Sequence, residues 1–509
     1  MHRLLGIETE YGIVVEGLGA NDWIAESIAL IRAYPGKAAA GWNYRGEDPR
    51  RDMRGFTVQN LAQNPDDAQF DAPGVKPMTR EEERSDRILT NGARFYNDHG
   101  HPEYATPECN SILSVITYDK AGERVVQSAA EARSHQRGVP VTLYKNNTDY
   151  HGSSYGTHEG YLMARSVPTE TLVQSLLPFF VSRQVFAGAG KCGVENDRSV
   201  NPDTFQLSQR ADYFAVEASV DTLHNRPVVN TRDEPHATPA KYRRLHVICG
   251  DANMSEYATA LKMGTTSLVL RMLEEGLEAP VRLMDPVRAG KAISRDVTLK
   301  AAVERHGGPP LTAIEIQRIY LAEAQKRLQG ESSETDWVLA EWTSILDILA
   351  VDPSQAADRL DWAAKYALFR GFREDEGLSW NSAHMQSLDL EYHNTDVTAS
   401  LYYGLVEAGS MITLVDEKDV LAAVLAPPQD TRAAIRGHFA SRFADSVRSI
   451  GWNGIAFKHR GQDLLFDMNS LVEDNLQELN NDVRSTETLD AFVEVVHGKP
   501  LTSAGLNAK

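Results

Sequence analysis

Apolar residues recur at alternate positions near the start of the chain. Residues 5, 7, 11 and 13 are apolar, and they alternate with glycines and with Glu8 and Glu10. Successive side chains of a strand point to opposite faces, so the pattern predicts one strand over residues 4–15 with an apolar and an acidic face. The two carboxylates would then project from the same face, about 7 Å apart. That spacing suits neighbouring metal ions, and a solvated strand face is the alternative.

Composition excludes several classes of protein. Among the 509 residues, 42% are hydrophobic and 24% charged, as in an ordinary soluble globular protein. No apolar run reaches about 18 residues, and charged residues interrupt the first 15, so we expect a cytoplasmic protein that does not bind a membrane. The three cysteines form no C-x-x-C pair, which argues against a disulfide framework or structural zinc. A net charge of −19 argues against nucleic acid as a partner.

The segment RFYNDHGHPEYATPE at 94–108 concentrates reactive side chains. If residues 94–98 are extended, Arg94, Tyr96 and Asp98 share one face. Glycine and proline then turn the chain, which can bring Glu103 back toward the same face. Such a row can hold phosphate, metal and water together, whereas the alternative is a charged surface hairpin.

Two later segments carry histidines and arginines. His158 lies beside a carboxylate and could bind a metal or a phosphate, although a lone histidine is more often structural. On a predicted strand over 243–249, Arg244 and His246 share a face. These and nearby arginines, including Arg210 and Arg232, suit bidentate recognition of phosphate or carboxylate, and ion pairing is the alternative.

The rest of the chain gives a coarse outline. A helix is predicted at about 22–33, with Ile24, Ile28 and Ile31 as its buried stripe. Residues 35–86 lose all periodicity and predict a long, partly mobile loop. The G-x-G-x-x-G match at 188–193 follows a predicted helix over about 171–186, so we interpret it as a helix terminator rather than a dinucleotide site. A composition shift at 426–431 predicts a large domain over 1–428 and a small one over 429–509.

Taken in order, several long motifs resemble one known family. They are GIETEYG (6–12), RFYNDHGHPEYATPE (94–108), YGTHE (155–159), RPVVNTRDEPHA (226–237) and RRLHVICGDANMSE (243–256). The chain is similar to the family of enzymes that attach and remove the small protein modifier Pup. The resemblance implies an α+β, glutamine-synthetase-like fold, in which a curved antiparallel sheet cradles ATP and Mg²⁺, followed by a small C-terminal α/β domain.

The resemblance also implies roles for individual residues. Asp98 is expected to be the catalytic carboxylate. The expected Mg²⁺ ligands are Glu8, Tyr96 and Glu103, and the expected ATP contacts are Arg94, Thr106 and Trp452. The remaining candidates for the metal and phosphate environment are Glu10, His158, Arg210, Arg232, Arg244 and His246.

The long segment at 35–86 favours the deamidase branch of this family, which carries an insertion near that point. The implied reactions are conversion of the C-terminal glutamine of Pup to glutamate and hydrolysis of the Pup–lysine isopeptide bond. The implied partners are Pup and pupylated proteins, and ATP would be required without being consumed in proportion to product. The alternatives are a Pup–protein ligase, a small-molecule carboxylate–amine ligase, and a catalytically silent Pup-binding protein.

Overall fold

The computed structural model describes residues 3–18, 22–59, 61, 84–195, 197, 199–222, 225–472, 476–496 and 501–503. The strands are β1 (Leu5–Glu10), β2 (Gly12–Val15), β3 (Ala38–Ala39), β4 (Arg87–Leu89), β5 (Arg94–Asp98), β6 (His101–Ala105), β7 (Val141–Tyr144), β8 (Thr157–Ala164), β9 (Lys191–Cys192), β10 (Phe205–Gln206), β11 (Val216–Ser219), β12 (Pro227–Asn230), β13 (Tyr242–Val247), β14 (Ala302–Val303), β15 (Leu311–Thr312), β16 (Val447–Ile450), β17 (Gly454–His459), β18 (Gln462–Asp467) and β19 (Leu501–Ser503). The helices are α1 (Trp23–Ala33), α2 (Ile112–Arg137), α3 (Thr169–Ala187), α4 (Glu256–Glu274), α5 (Pro286–Ser294), α6 (Ala313–Leu328), α7 (Ser333–Val351), α8 (Asp361–Glu376), α9 (Ala383–Tyr392), α10 (Leu401–Glu407), α11 (Glu417–Leu425), α12 (Ala433–Arg442), α13 (Gln477–Arg484) and α14 (Leu489–Val495).

A seven-stranded antiparallel sheet forms the centre of the fold, in the order β13-β8-β1-β6-β5-β4-β3. Leu5 and Ile7 of β1 belong to the main apolar core, together with side chains of α2, α3 and α4. Glu8 of the same strand points the other way, into a cleft. The α+β class agrees with the prediction. One face of the sheet packs on the apolar core, and the other carries polar groups.

The predicted single strand over 4–15 is wrong at Tyr11. β1 lies in the seven-stranded sheet, whereas β2 pairs with β7 in a separate two-stranded sheet. Tyr11, between the two strands, is fully buried. The alternation of side chains continues through Tyr11, so the sequence pattern does not reveal that the chain changes sheets there.

Helix α1 lies where it was predicted, but its buried stripe differs. Ile31 is buried together with Ser27 and Leu30, whereas Ile24 is 39% exposed. Ile24 lies in the first turn of the helix, and only the later turns are buried against the rest of the protein. Helix α3 and its end at Gly188 match the predicted terminator in the glycine-rich segment.

The segment 35–86 is more structured than predicted. β3 pairs with β4, Trp42 forms a bridge with Ile450, and Asp52 accepts a hydrogen bond from Thr231 at 2.6 Å. These contacts anchor the described part of the segment, and the long loop at 35–86 stays a prediction. Residues 60 and 62–83 of the segment lie outside the described residues.

A second apolar cluster joins α12, α13, α14 and the sheet β16-β17-β18-β19. Ala39, Trp42 and Ile88 from the N-terminal part also belong to this cluster. The C-terminal elements thus share a core with the edge of the large sheet, and the domain boundary at residue 428 stays a prediction. Within the described residues, none of the helices combines the length and apolar character that a membrane crossing needs.

Candidate active site

A tight hairpin brings the reactive side chains of residues 94–103 together. β5 and β6 are antiparallel, with Tyr96 opposite Glu103. His99 and Gly100 make the turn with φ values of 46° and 89°, and the Tyr96 hydroxyl donates to Glu103 Oε1 at 2.7 Å. The prediction that the turn returns Glu103 to the row is confirmed.

Strand β1 places its two glutamates beside the neighbouring strands. Glu10 lies opposite Glu103 of β6, and Glu8 lies opposite His158 of β8. Glu8 Oε2 is 3.5 Å from His158 Nδ1 and 3.5 Å from His246 Nε2. The sheet therefore collects acidic and imidazole groups from five adjacent strands on one face.

These groups form two candidate metal centres. One consists of Glu8, His158 and His246, and the other of Glu10, Asp98 and Glu103; within each, the ligand atoms lie within 4.8 Å of one another. Carboxylate and neutral imidazole are suitable ligands for divalent cations. Burial, followed by the charge of Arg244, lowers the pKa of His246 to about 3, so its ring is neutral and able to bind a metal.

Glu103 has the features expected of a cation ligand in the second centre. Its Oε2 is buried and has no hydrogen-bond partner among the described residues. Burial and the charges of Asp98, Glu10 and Glu8 raise the pKa of Glu103 well above its ordinary value. Repulsion among buried carboxylates is what a bound cation would relieve.

Asp98 has two cationic neighbours that the sequence analysis missed. Arg84 Nη1 lies 2.6 Å from Asp98 Oδ1, and His99 Nδ1 lies 3.0 Å from Oδ2. Burial acts to raise the pKa of Asp98, but the charges of His99 and Arg84 outweigh it and hold that pKa well below its ordinary value. Asp98 is therefore a carboxylate that stays ionised at neutral pH.

The predicted arginines line the same cleft, but protein groups already engage them. Arg244 donates to Glu8 Oε1 at 2.8 Å, and Arg94 donates to Asp86 Oδ1 at 2.7 Å. The Arg210 guanidinium donates to the Ile248 carbonyl, and that of Arg232 donates to the carbonyl of Val220 at 3.0 Å. The ion-pair alternative therefore applies to Arg244. Arg94 is also paired with a carboxylate, and its guanidinium stacks 3.7 Å from the centre of the Tyr96 ring.

One cleft of about 370 Å³ contains nearly all the predicted site residues. It is lined by Glu8, Glu10, Arg94, Tyr96, Asp98, Glu103, His158, Arg210, Arg232, Arg244, His246 and Trp452. Thr106 lies instead in an adjoining cavity of about 80 Å³. The cleft and the cavity are adjacent, because both are lined by Glu8, His236, Arg244 and Trp452. The structure thus brings the candidates together, while their individual roles stay predictions.

Several residues of the cleft were not predicted. They include Trp23, Arg84, His99, His101, Tyr155 and His236. His99 lies in the turn after Asp98 and His101 begins β6, so the hairpin itself was a signal for both. Arg84 and Trp23 come from outside the motifs, and nothing in their local sequence indicates the cleft.

Comparison with known proteins identifies relatives of this chain. The model of a family described as "Pup-ligase protein" matches residues 3–456. The chain is 44% identical to a depupylase of Acidothermus cellulolyticus, over 91% of this chain and 93% of that protein. A Pup deamidase/depupylase of Mycolicibacterium smegmatis is 43% identical over the same shares. A Pup–protein ligase of Nocardioides sp. is 39% identical over 74% of this chain and 85% of that protein.

A solved structure supports the same relationship. The ligase PafA in its complex with Pup matches with a TM-score of 0.75 and 28% identity, over 98% of this chain and 92% of that one. The predicted glutamine-synthetase-like fold is thereby confirmed. The match of the family model, together with identities of 39–44% over most of the chain, shows that this chain belongs to the Pup-ligase protein family.

Proposed function

We propose that this chain hydrolyses amide bonds at the C-terminal residue of Pup. It would convert a terminal glutamine to glutamate and would cleave the isopeptide bond between Pup and a lysine of a target protein. The observation that carries the proposal is the Asp98 carboxylate, held ionised by Arg84 and His99 beside the buried carboxylates of the same cleft. Relatives named depupylase and Pup deamidase/depupylase share 43–44% of their residues with this chain.

One reaction centre can serve both activities because both bonds are amides of the same γ-carbonyl carbon. The C–N bond breaks, the carbon receives the hydroxyl of a water molecule, and the departing amine receives the hydrogen. The amine is ammonia in one case and a lysine in the other. A carboxylate of low pKa is a weak general base, so we favour attack by Asp98 on the carbonyl carbon, with water then hydrolysing the acyl intermediate.

The donor groups of the cleft fit Mg²⁺ and ATP. Glu103 and Glu10, with Glu8 beside them, would hold the cation, and the unpartnered Glu103 Oε2 supports this. Bound Mg²⁺ would supply electrostatic stabilisation of the oxyanion that develops in the transition state. Trp452 and Thr106 line the adjoining cavity, where we place the nucleotide base. A structure in this family described as PafA in complex with ADP supports nucleotide binding.

The ligase alternative is weaker on two counts. The ligase of Nocardioides sp. matches a smaller share of this chain than the deamidase relatives do, 74% against 91%. The segment at 35–86 also fits the deamidase branch, although part of it lies outside the described residues. A ligase would form ADP in step with conjugates, and a small-molecule ligase would ignore Pup.

The experiment is to incubate the purified protein with glutamine-ended Pup and, separately, with a Pup–lysine conjugate, with and without ATP and Mg²⁺. Mass spectrometry would follow the change from amide to acid and the release of free target. The Asp98→Asn variant should lose both activities. Asp347→Asn makes the same change at an exposed helix position, where Asp347 pairs with Arg318, and should retain both. Conjugates accumulating from glutamate-ended Pup with matching ADP would instead establish the ligase.

We also propose a cytoplasmic location and a domain boundary near residue 428. The described structure supports the location in that Cys109, Cys192 and Cys249 are free thiols, as expected in a reducing compartment. Limited proteolysis tests the boundary, which predicts a stable fragment that ends near residue 428.

A further inference from the structure

Three aromatic rings form a continuous surface at one end of the cleft. We call this surface the aromatic wall, and it consists of Trp23, His101 and Tyr155. The ring centres of Trp23 and His101 are 5.6 Å apart, and those of His101 and Tyr155 are 4.4 Å apart with the planes inclined by 24°. All three residues line the cleft.

The aromatic wall is held in place from behind. A Cβ atom at Gly100 would collide with the Trp23 ring, so the indole packs directly on the backbone of that turn. The Tyr155 hydroxyl donates to the side-chain oxygen of Asn146. Trp23 keeps 36% of its surface exposed, although Gly100, on which it packs, is buried. It therefore offers an apolar face to a ligand without needing to move.

The wall lies at the end of the cleft away from the proposed nucleotide cavity. Gly6 and Ile7 line that cavity, and Glu8 lines both spaces. Glu10, further along the same strand, lies with its Oε2 atom 3.7 Å from His101 Nδ1. Along β1, the proposed nucleotide cavity therefore comes first, the candidate metal ligands come next, and the aromatic wall comes last.

Trp23 and Asp98 line the same cleft. The indole packs on Gly100, which follows Asp98 by two residues. The Cα atoms of Gly100 and Asp98 are therefore at most about 7 Å apart. The methylene stem of a lysine can span such a distance. A substrate amide held at Asp98 would therefore bring the stem of its amine side within reach of the indole.

We propose that Trp23 is a specificity-determining residue that packs against the methylene stem of the lysine released during isopeptide cleavage. This inference rests on the proposed function. The four methylenes of a lysine gain apolar contact with the indole, whereas a free carboxamide releases ammonia and has no stem to bind. Trp23 thus favours hydrolysis of Pup–lysine conjugates over deamidation of free Pup.

The first test compares both reactions in the same variants. Trp23→Ala should lower kcat/KM for a Pup–lysine conjugate about tenfold, the low end of what methylene contacts contribute in an apolar pocket. Deamidation of glutamine-ended Pup should stay within about twofold. Trp23→Phe keeps an aromatic face and should retain part of the preference. Ile24→Ala removes a neighbouring exposed apolar side chain outside the cleft lining and should change neither rate.

A second test varies only the stem. Pup is prepared with a methyl or an n-butyl group on the nitrogen of its terminal carboxamide. The unaltered protein should cleave the butylamide faster, and Trp23→Ala should cleave both at similar rates. If Trp23→Ala does not fold, Trp23→Phe decides, since it should show a reduced butyl-to-methyl ratio.

The outcomes separate the two proposals. If the unaltered protein carries out neither reaction, the proposed function itself fails. If Trp23→Ala slows both reactions equally, or leaves the butyl preference unchanged, the proposed function stands and the role of Trp23 is refuted. An equal loss in both would instead assign the wall to the glutamyl side of the bond.

Discussion

At the scale of single residues, the ionisation of Asp98 depends on groups that reach it from two parts of the chain. His99 is its neighbour in sequence, whereas Arg84 comes from the residues that precede β4. An opposite charge within about 4–6 Å lowers a carboxyl pKa by about 1–3 units. We therefore propose Arg84 as a positioning residue, which fixes both the charge and the orientation of the Asp98 carboxylate.

Replacing Arg84 tests this role. Arg84→Met keeps a long stem and removes the cation, so the pKa of Asp98 should rise. A nucleophilic carboxylate acts in its ionised form, so the acid limb of kcat/KM should move to higher pH, by about 1–3 units. Arg87→Met is the matched control, because Arg87 lies three residues on and is not among the residues that line the cleft. An Arg84→Met profile that overlays the parent profile would contradict the proposed role.

The sequence could predict only part of this site. The Arg94–Glu103 hairpin was predictable because strand periodicity and turn residues act over a few positions. The approach of Arg84 to Asp98 was not, because it depends on the path of a segment without periodicity. The same holds for Trp23, whose position in the cleft depends on how α1 packs against the Gly100 turn.

At the scale of elements, a backbone contact can require a residue that helix propensity disfavours. Gly437 lies within α12, where alanine is ordinarily favoured by about 1 kcal/mol over glycine. A Cβ at this position would collide with the carbonyl oxygen of Thr90, which belongs to the turn before β5. Helix α12 can therefore approach the large sheet closely only because residue 437 has no side chain.

A pair of glycine substitutions separates propensity from packing. Gly437→Ala should destabilise the protein by about 1–3 kcal/mol, as overpacking does, because the Thr90 backbone cannot move aside. Gly371 lies in α8, and a Cβ there would meet nothing within 4 Å. Gly371→Ala should therefore raise the stability by up to about 1 kcal/mol. Thermal unfolding of the two variants checks the opposite signs, and a shift of Tm in the same direction for both would refute the argument.

The larger elements were predicted better than their connections. The antiparallel sheet was implied by the family resemblance. The position of α1 and the end of α3 follow from periodicity and glycine placement. The break at Tyr11 does not, because β1 and β2 continue the same alternation while pairing with different partners. Strand partners are long-range properties, and local patterns do not encode them.

At the scale of the whole molecule, one buried ionic cluster joins the C-terminal elements to the rest. Glu108, just beyond β6, accepts a hydrogen bond from Arg432 at 2.8 Å and another from Arg436 of α12. Arg436 is fully buried and also lies over the Trp452 ring, 4.7 Å from its centre. Because Trp452 lines the cleft, this cluster connects the packing of the C-terminal elements with the geometry of the proposed nucleotide cavity.

The cluster predicts a specific dependence of stability on pH. Burial acts to raise the pKa of Glu108, but Arg436 and Arg432 outweigh it and lower the pKa to about 2. A carboxyl whose pKa is lower in the folded state adds stability above its unfolded pKa, and loses it as the pH falls through the folded value. The stability from this cluster should therefore be lost between about pH 5 and pH 2.

Replacing Glu108 removes that contribution at neutral pH. Glu108→Gln leaves two buried arginines without their carboxylate, so it should destabilise the protein by about 3–5 kcal/mol at pH 7 and flatten the loss below pH 5. Glu323→Gln, which breaks the surface pair with Arg327, should change the stability by less than about 1 kcal/mol. Urea unfolding of both variants across this pH range provides the measurement. If Glu108→Gln kept the acid sensitivity of the parent, other carboxylates would have to account for it, and the cluster would not be what joins the C-terminal elements to the sheet.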